Sequence, residues 1–157
     1  MWPSDLGAAG GGAAGDLGSR CVDQGRFLVG EVRRVCGMVK SWSKDSEGLI
    51  TDVNDDWFLA GAELDNGATA SFEASRVTEG HSGTGRIEVD GTKGTIRWDW
   101  ERVSELWHSE PRKGPRLIKA AAPDHPYSDF WLPVGIQGAF AVGWRDAFYH
   151  QAHHMLA

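Results

Sequence analysis

Asp16, Arg20 and Asp23 stand four and three residues apart, directly after the run Gly10-Gly11-Gly12-Ala13-Ala14-Gly15. In an α-helix that spacing brings all three charged side chains to one face. Two acceptor-only carboxylates then flank a permanently charged donor fork. Such a face can point into a cleft while Leu17, Cys21 and Leu28 pack the other way. The same groups also make an ordinary solvated cluster, since Arg20 can pair with either carboxylate for about 0.3–0.5 kcal/mol. Spacing alone leaves both readings open.

Other groups invite chemistry and have a bland counterpart. His150, His153 and His154 lie near one helical turn of one another, a spacing at which imidazoles can chelate. No carboxylate or cysteine nearby completes a ligand set, so no metal is expected there. His125-Pro126-Tyr127 offers an imidazole and a phenol beside a rigid turn, either as a loop site or as a structural corner. Trp98 and Trp100 can stack on sugar rings, or pack the sheet against a helix, a second sheet or another subunit. The glycine run resembles a phosphate cradle only loosely. No strand precedes it, and no Lys-Ser/Thr pair follows.

The elements that must position these groups follow from periodicity. A Gly/Ala loop over residues 2–15 leads into a helix from about Asp16 to Val29, with Asp16 as N-cap or in the first turn. Strand-like segments follow over Val32–Trp42, Trp57–Leu64 and Ala68–Val77, with a polar loop over Ser43–Asn54. Phe58, Ala60, Ala62 and Leu64 alternate onto one face, as do Ala70, Phe72 and Ala74. Asp65-Asn66-Gly67 predicts the hairpin between them. A second hairpin at Gly91-Thr92-Lys93-Gly94 joins Arg86–Asp90 to Thr95–Glu101, and Val103–His108 adds a short strand. Residues 109–139 read as irregular, and a final helix spans about Ala141–Ala157. Helix, antiparallel strands, helix: that order predicts an α+β fold, an open and mainly antiparallel sheet with helices packed on one face.

The bulk composition narrows the classes. The chain has 157 residues, 41% of them hydrophobic and 24% charged, enough for one domain with a core. The net charge of −6 argues against nucleic acid or an anionic membrane surface as partner. No run approaches the ~20 apolar residues of a membrane span, and no basic n-region precedes an apolar stretch, so a cytoplasmic address is expected. Cys21 and Cys36 read as reduced thiols. The chain opens near the glycine loop and stops inside a helix, so residues 1–157 read as a single domain cut from a larger protein at both ends.

In this setting the chain resembles the C-terminal domain of the glucose–fructose oxidoreductase/inositol dehydrogenase (Gfo/Idh/MocA) family. The family pattern Asp-x-Gly-x-His-x-x-Asp, opening a helix that ends near Phe-Leu-x-Gly, is matched by Asp16-Leu17-Gly18-Ser19-Arg20-Cys21-Val22-Asp23 and Phe27-Leu28-Val29-Gly30. Asp65-Asn66-Gly67-Ala68, Phe72-Glu73-Ala74-Ser75-Arg76, Ile87–Gly94, the His125-Pro126-Tyr127 turn and the last helix follow in the family's order. The resemblance implies an NAD(P)-dependent dehydrogenase of sugars or polyols, with NAD or NADP on a Rossmann domain absent from this chain. It implies a homo-oligomer assembled through the sheet face. Asp16, Arg20, Asp23, Arg76, His125 and Tyr127 become the expected substrate contacts, and Asp16 and Arg20 hold the catalytic positions. In the family, the residue at position 20 is a histidine that accepts the proton, assisted by a lysine of the other domain. Arginine stays protonated and cannot do this; it can clamp an anionic or hydroxylated substrate. A non-enzymatic sugar- or protein-binding module is the alternative expectation.

Overall fold

The structure, a computed structural model, describes residues 11–42, 54–81, 83–119 and 143–156. The chain divides into two compact units, Met1–Gly80 and His81–Ala157.

The first unit begins with a wide π-helical turn, Ala14–Gly18, that runs without a break into α1 (Ser19–Leu28). Asp16 therefore lies within the first wide turn rather than at an N-cap. Three antiparallel strands follow in the order β1 (Val32–Lys40), β2 (Trp57–Leu64) and β3 (Thr69–Ser75). Along β2 the alternation expected from the sequence holds, with Phe58, Ala62 and Leu64 buried; Phe72 joins them from β3, opposite Ala60 in register. Phe58, Ala62 and Phe72 form the core, with Cys21, Val22 and the smaller alanines packed around them.

Glycines rather than large side chains bring α1 onto this face. A Cβ at Gly18 would sit 2.7 Å from the Phe58 ring, and one at Gly25 would sit 2.7 Å from the Phe72 ring. The two are seven residues apart, close to two turns, so one bare stripe of the helix lies on two aromatic rings. Leu28, expected to pack inward, is exposed, as is Phe27 at 88%. The glycine stripe sets which side of the helix meets the sheet, and Leu28 lies off it.

The hairpin between β2 and β3 forms where Asp65-Asn66-Gly67 predicted it. Leu64 N–H donates to Ala68 O at 2.8 Å, and Gly67 takes the left-handed conformation at φ +84°. Asn66 does not; it works through its side chain instead. Its Nδ2 donates to Val29 O at 2.8 Å, and its Oδ1 accepts from Ala68 N–H at 3.0 Å. The turn is thereby tied to the end of α1.

The second unit is an antiparallel meander, β4 (Arg86–Gly91), β5 (Gly94–Asp99), β6 (Glu105–Ser109) and β7 (Arg116–Lys119), followed in the chain by α2 (Trp144–Leu156). Gly94 has φ +148°, and a side chain there would collide with Ser109 O, so the hairpin requires glycine. Two boundaries differ from expectation. Trp100 leaves β5 for a 3₁₀ turn, Trp100–Arg102, held at its start by the Asp99 carboxylate, which accepts from Glu101 N–H at 2.9 Å. Strand β7 lies in a stretch read as irregular; its four residues carry too short a pattern to stand out between Pro115 and the segment beyond.

The α+β class and the antiparallel pairing are those expected. Among the described residues the strands form two hydrogen-bonded sheets where one open sheet was expected. The break falls between Ser75 and Arg86, a stretch with three glycines and, among its described residues, no ladder. No helix among the described residues is long and apolar enough to cross a membrane.

Candidate functional site

Asp16 and Arg20 are joined. Arg20 Nη2 donates to Asp16 Oδ1 at 3.1 Å, one turn along the helix. The Arg20 side chain is 72% exposed and the Asp16 side chain 37%, so this pair is open to solvent and yields readily to a competing ligand. Asp23 is exposed on the same side of α1.

Arg20, Asp23 and Arg26 line an open groove of about 710 Å³, with Ser19 and Val22 beside them and the Phe58 ring at its base. Asp16 does not line this groove itself; its carboxylate reaches it through Arg20. Of the expected face, Arg20 and Asp23 border the groove, together with Arg26 and Ser19, while Asp16 pairs with Arg20 beside it.

Arg26 was not singled out by the sequence. It forks onto Glu31, with Nε to Oε2 at 2.7 Å and Nη2 to Oε1 at 3.0 Å. Those hydrogen bonds hold the Glu31 carboxyl below its ordinary value and raise Arg26. Cys21, half-buried on the core side of α1, has its thiol pushed up by desolvation; both cysteines are free.

The wide turn carrying Asp16 is held at both ends. Ser19 N–H donates to Ala14 O, five residues back, which is the π-type bond. Ahead of it, Ala13 N–H donates to Asp55 O at 2.7 Å and Ala14 N–H donates to Asp55 Oδ2 at 2.7 Å. Gly12 lies so close to Asp55 that a Cβ has no room. Asp55 therefore occupies the donors that a phosphate cradle would need, and these residues do not fit a dinucleotide. On either side of it, Asp56 accepts from Trp42 N–H at 2.7 Å, and Asn54 is buried with both side-chain polar atoms unpartnered. Spacing rules gave no sign of Asp55, because its partner lies 41 residues away.

Arg76 follows β3; its N–H donates to Asp56 O at 2.9 Å, and it is not among the residues that border the groove. His125 and Tyr127 lie outside the described residues. Trp98 and Trp100 meet edge to face at 5.2 Å, with Trp98 Nε1 donating to Val103 O, so each packs on the other. The His153 and His154 rings lie 5.8 Å apart, and no group of three or more ligating side chains that could hold a metal ion is found among the described residues.

A family model described as the GFO/IDH/MocA C-terminal domain matches residues 2–97, more than half of the chain. The chain belongs to the Gfo/Idh/MocA family. Levoglucosan dehydrogenase of Pseudarthrobacter phenanthrenivorans is 28% identical over 175 residues, covering 97% of this chain and 44% of that protein. The structure of levoglucosan dehydrogenase in complex with NADH and levoglucosan superimposes with a TM-score of 0.85 at 29% identity, covering 98% of this chain and 42% of that one. An oxidoreductase domain protein from Kribbella flavida gives 0.81 at 30%, covering 97% and 43%. The chain thus spans less than half the length of these relatives and corresponds to the C-terminal domain of sugar-dehydrogenase-like Gfo/Idh/MocA oxidoreductases.

Proposed function

We propose that this domain is the sugar- or polyol-binding half of an NAD(P)-dependent dehydrogenase, and that the groove along α1 receives the substrate. The observation that carries this reading is the Asp16–Arg20 pair. It occupies the family's aspartate and histidine positions, is solvent-open, and adjoins a groove shared with Asp23. Relatives solved with levoglucosan and with L-sorbose support the substrate class. Asp16 and Asp23 accept from substrate hydroxyls, and Arg20 donates to them. Arg76, His125 and Tyr127 complete the contacts.

A nicotinamide cofactor held by a separate domain would supply the hydride acceptor for oxidation of a secondary alcohol. Arg20 cannot take the hydroxyl proton at any working pH. It stabilises the developing alkoxide by charge, and the proton goes to His125 or to a lysine of the cofactor-binding domain. Subunits associate through the sheet face, in the cytoplasm.

Thermal shift and calorimetry with levoglucosan, L-sorbose and myo-inositol test the reading. The melting temperature should rise with at least one of them and not with NADH, and Arg20→Ala should weaken that sugar about ten-fold or more, the worth of a charge-assisted hydrogen bond. Absence of any response to all three would overturn it. Arg20 itself favours a second reading, a sugar-binding module without turnover. That module binds the sugar equally well but leaves NAD(P) unreduced when a cofactor-binding domain is supplied.

A further inference from the structure

The wide turn at the start of α1 is an uncommon register, and such turns concentrate at functional sites. In it, the backbone takes an extra residue per turn between Ala14 and Ser19, the span that contains Asp16. Relaxation of this turn to ordinary α-helix would rotate Asp16 by roughly 100° relative to Arg20 and Asp23, one residue's step around the helix. Something must hold the wide register against that change.

Downstream, Gly18 is pressed on the buried Phe58 ring. Upstream, among the described residues, Asp55 takes the Ala13 and Ala14 amides from across the chain. It accepts from Ala13 N–H with its backbone and from Ala14 N–H with its carboxylate, and Gly12 has no space for a side chain against it. Asp55 lies two residues before β2 and Phe58 within it, so the turn is bracketed by two points of one short segment. No hydrogen bond joins Asp55 to Asp16 or Arg20, and Asp55 does not border the groove.

We propose that Asp55 is a positioning residue. Its carboxylate locks the π-turn of α1 and so sets the angle at which Asp16 meets Arg20. This rests on the reading of the groove as a sugar site, but it is tested first without any sugar. The readout is the Nη–H resonance of the Arg20 guanidinium and its response to Asp16→Asn, which reports the bond from Nη2 to Asp16 Oδ1.

In Asp55→Ala that response disappears, and Ala14 amide exchange accelerates on the order of ten-fold, the usual consequence of losing an N-terminal cap. In Asp55→Asn, whose amide oxygen still accepts from Ala14 N–H, the response survives and exchange accelerates less. If Asp55→Ala fails to fold, Asp55→Asn decides: unchanged Ala14 exchange, or loss of the Arg20 response, overturns the proposal. A folded Asp55→Ala with a lower melting temperature but an intact Arg20 response shows a merely structural role and also overturns it. Levoglucosan titration then separates the two ideas. If the unaltered chain ignores sugar, the substrate reading fails while the Arg20 response still judges Asp55. If it binds sugar, Asp55→Ala should weaken binding as much as Arg20→Ala does.

Discussion

On the proposed reading, Arg20 decides what kind of chemistry this domain can take part in. A histidine at that place would shuttle protons near neutrality; a guanidinium only donates hydrogen bonds and charge. In an assembled dehydrogenase, Arg20→Ala should therefore mainly raise KM, by about ten-fold, with little loss of kcat. Arg20→His should introduce a new ionisation in the pH–rate profile. A collapse of kcat in Arg20→Ala at unchanged KM would contradict the clamp role. The thiols give a second check on local environment. Burial raises the Cys21 thiol above its ordinary 9.0, whereas Cys36 is exposed on β1. At neutral pH iodoacetamide should label Cys36 roughly ten-fold faster than Cys21, since reactivity follows access and thiolate fraction; peptide mapping of partially alkylated protein reads the ratio.

Helix α1 is placed by absences. Gly→Ala inside a helix normally gains about 1 kcal/mol, but overpacking a well-filled contact costs about 1–3 kcal/mol. At Gly18 a Cβ meets the buried Phe58 ring at 2.7 Å, so the second effect wins, and Gly18→Ala should lower stability by about 1 kcal/mol. At Gly15 nothing lies within 4 Å, so Gly15→Ala should raise it by about 0.5–1 kcal/mol. Urea denaturation of the two variants measures both signs, and equal effects would show that the stripe does not seat the helix. The hairpin offers a parallel: the tripeptide Asp65-Asn66-Gly67 announces a turn from the sequence, but only the fold reveals that Asn66 fastens it to Val29.

The two units share a sensitivity to acid. In the first, hydrogen bonds from Arg26 hold Glu31 below its ordinary 4.5; in the second, Lys113 and, more weakly, Arg116 and His108 do the same for Glu110. A carboxyl lowered by folding contributes stability that is present above its unfolded value and lost as pH falls through the folded one. Both pairs should therefore lose their contribution below about pH 4.5, and none of it on going from pH 6 to pH 8. Chemical denaturation of Glu31→Gln and of the parent at pH 7 and pH 3.5 checks the sign: the gap between them should close at the lower pH. Both carboxyls are exposed, so the effect should shrink with added salt.

Much of this molecule was written in local pattern. Alternation along Trp57–Leu64 named the inward face because a strand has a period of two, and the Gly67 turn was visible because few residues accept positive φ. The co-facial placement of Asp16, Arg20 and Asp23 needed only helical spacing, and the order of motifs pointed to the family. What local pattern could not carry was anything set by a distant partner. Gly18 and Gly25 read as weak helix formers until two phenylalanines of the sheet lie beneath them, and Leu28 reads as core until that stripe turns it outward. Asp55 reads as one polar residue among several until its carboxylate meets Ala14 across 41 residues of chain. Spacing fixes which side chains share a face; only packing between elements fixes where that face points and the register in which it is held.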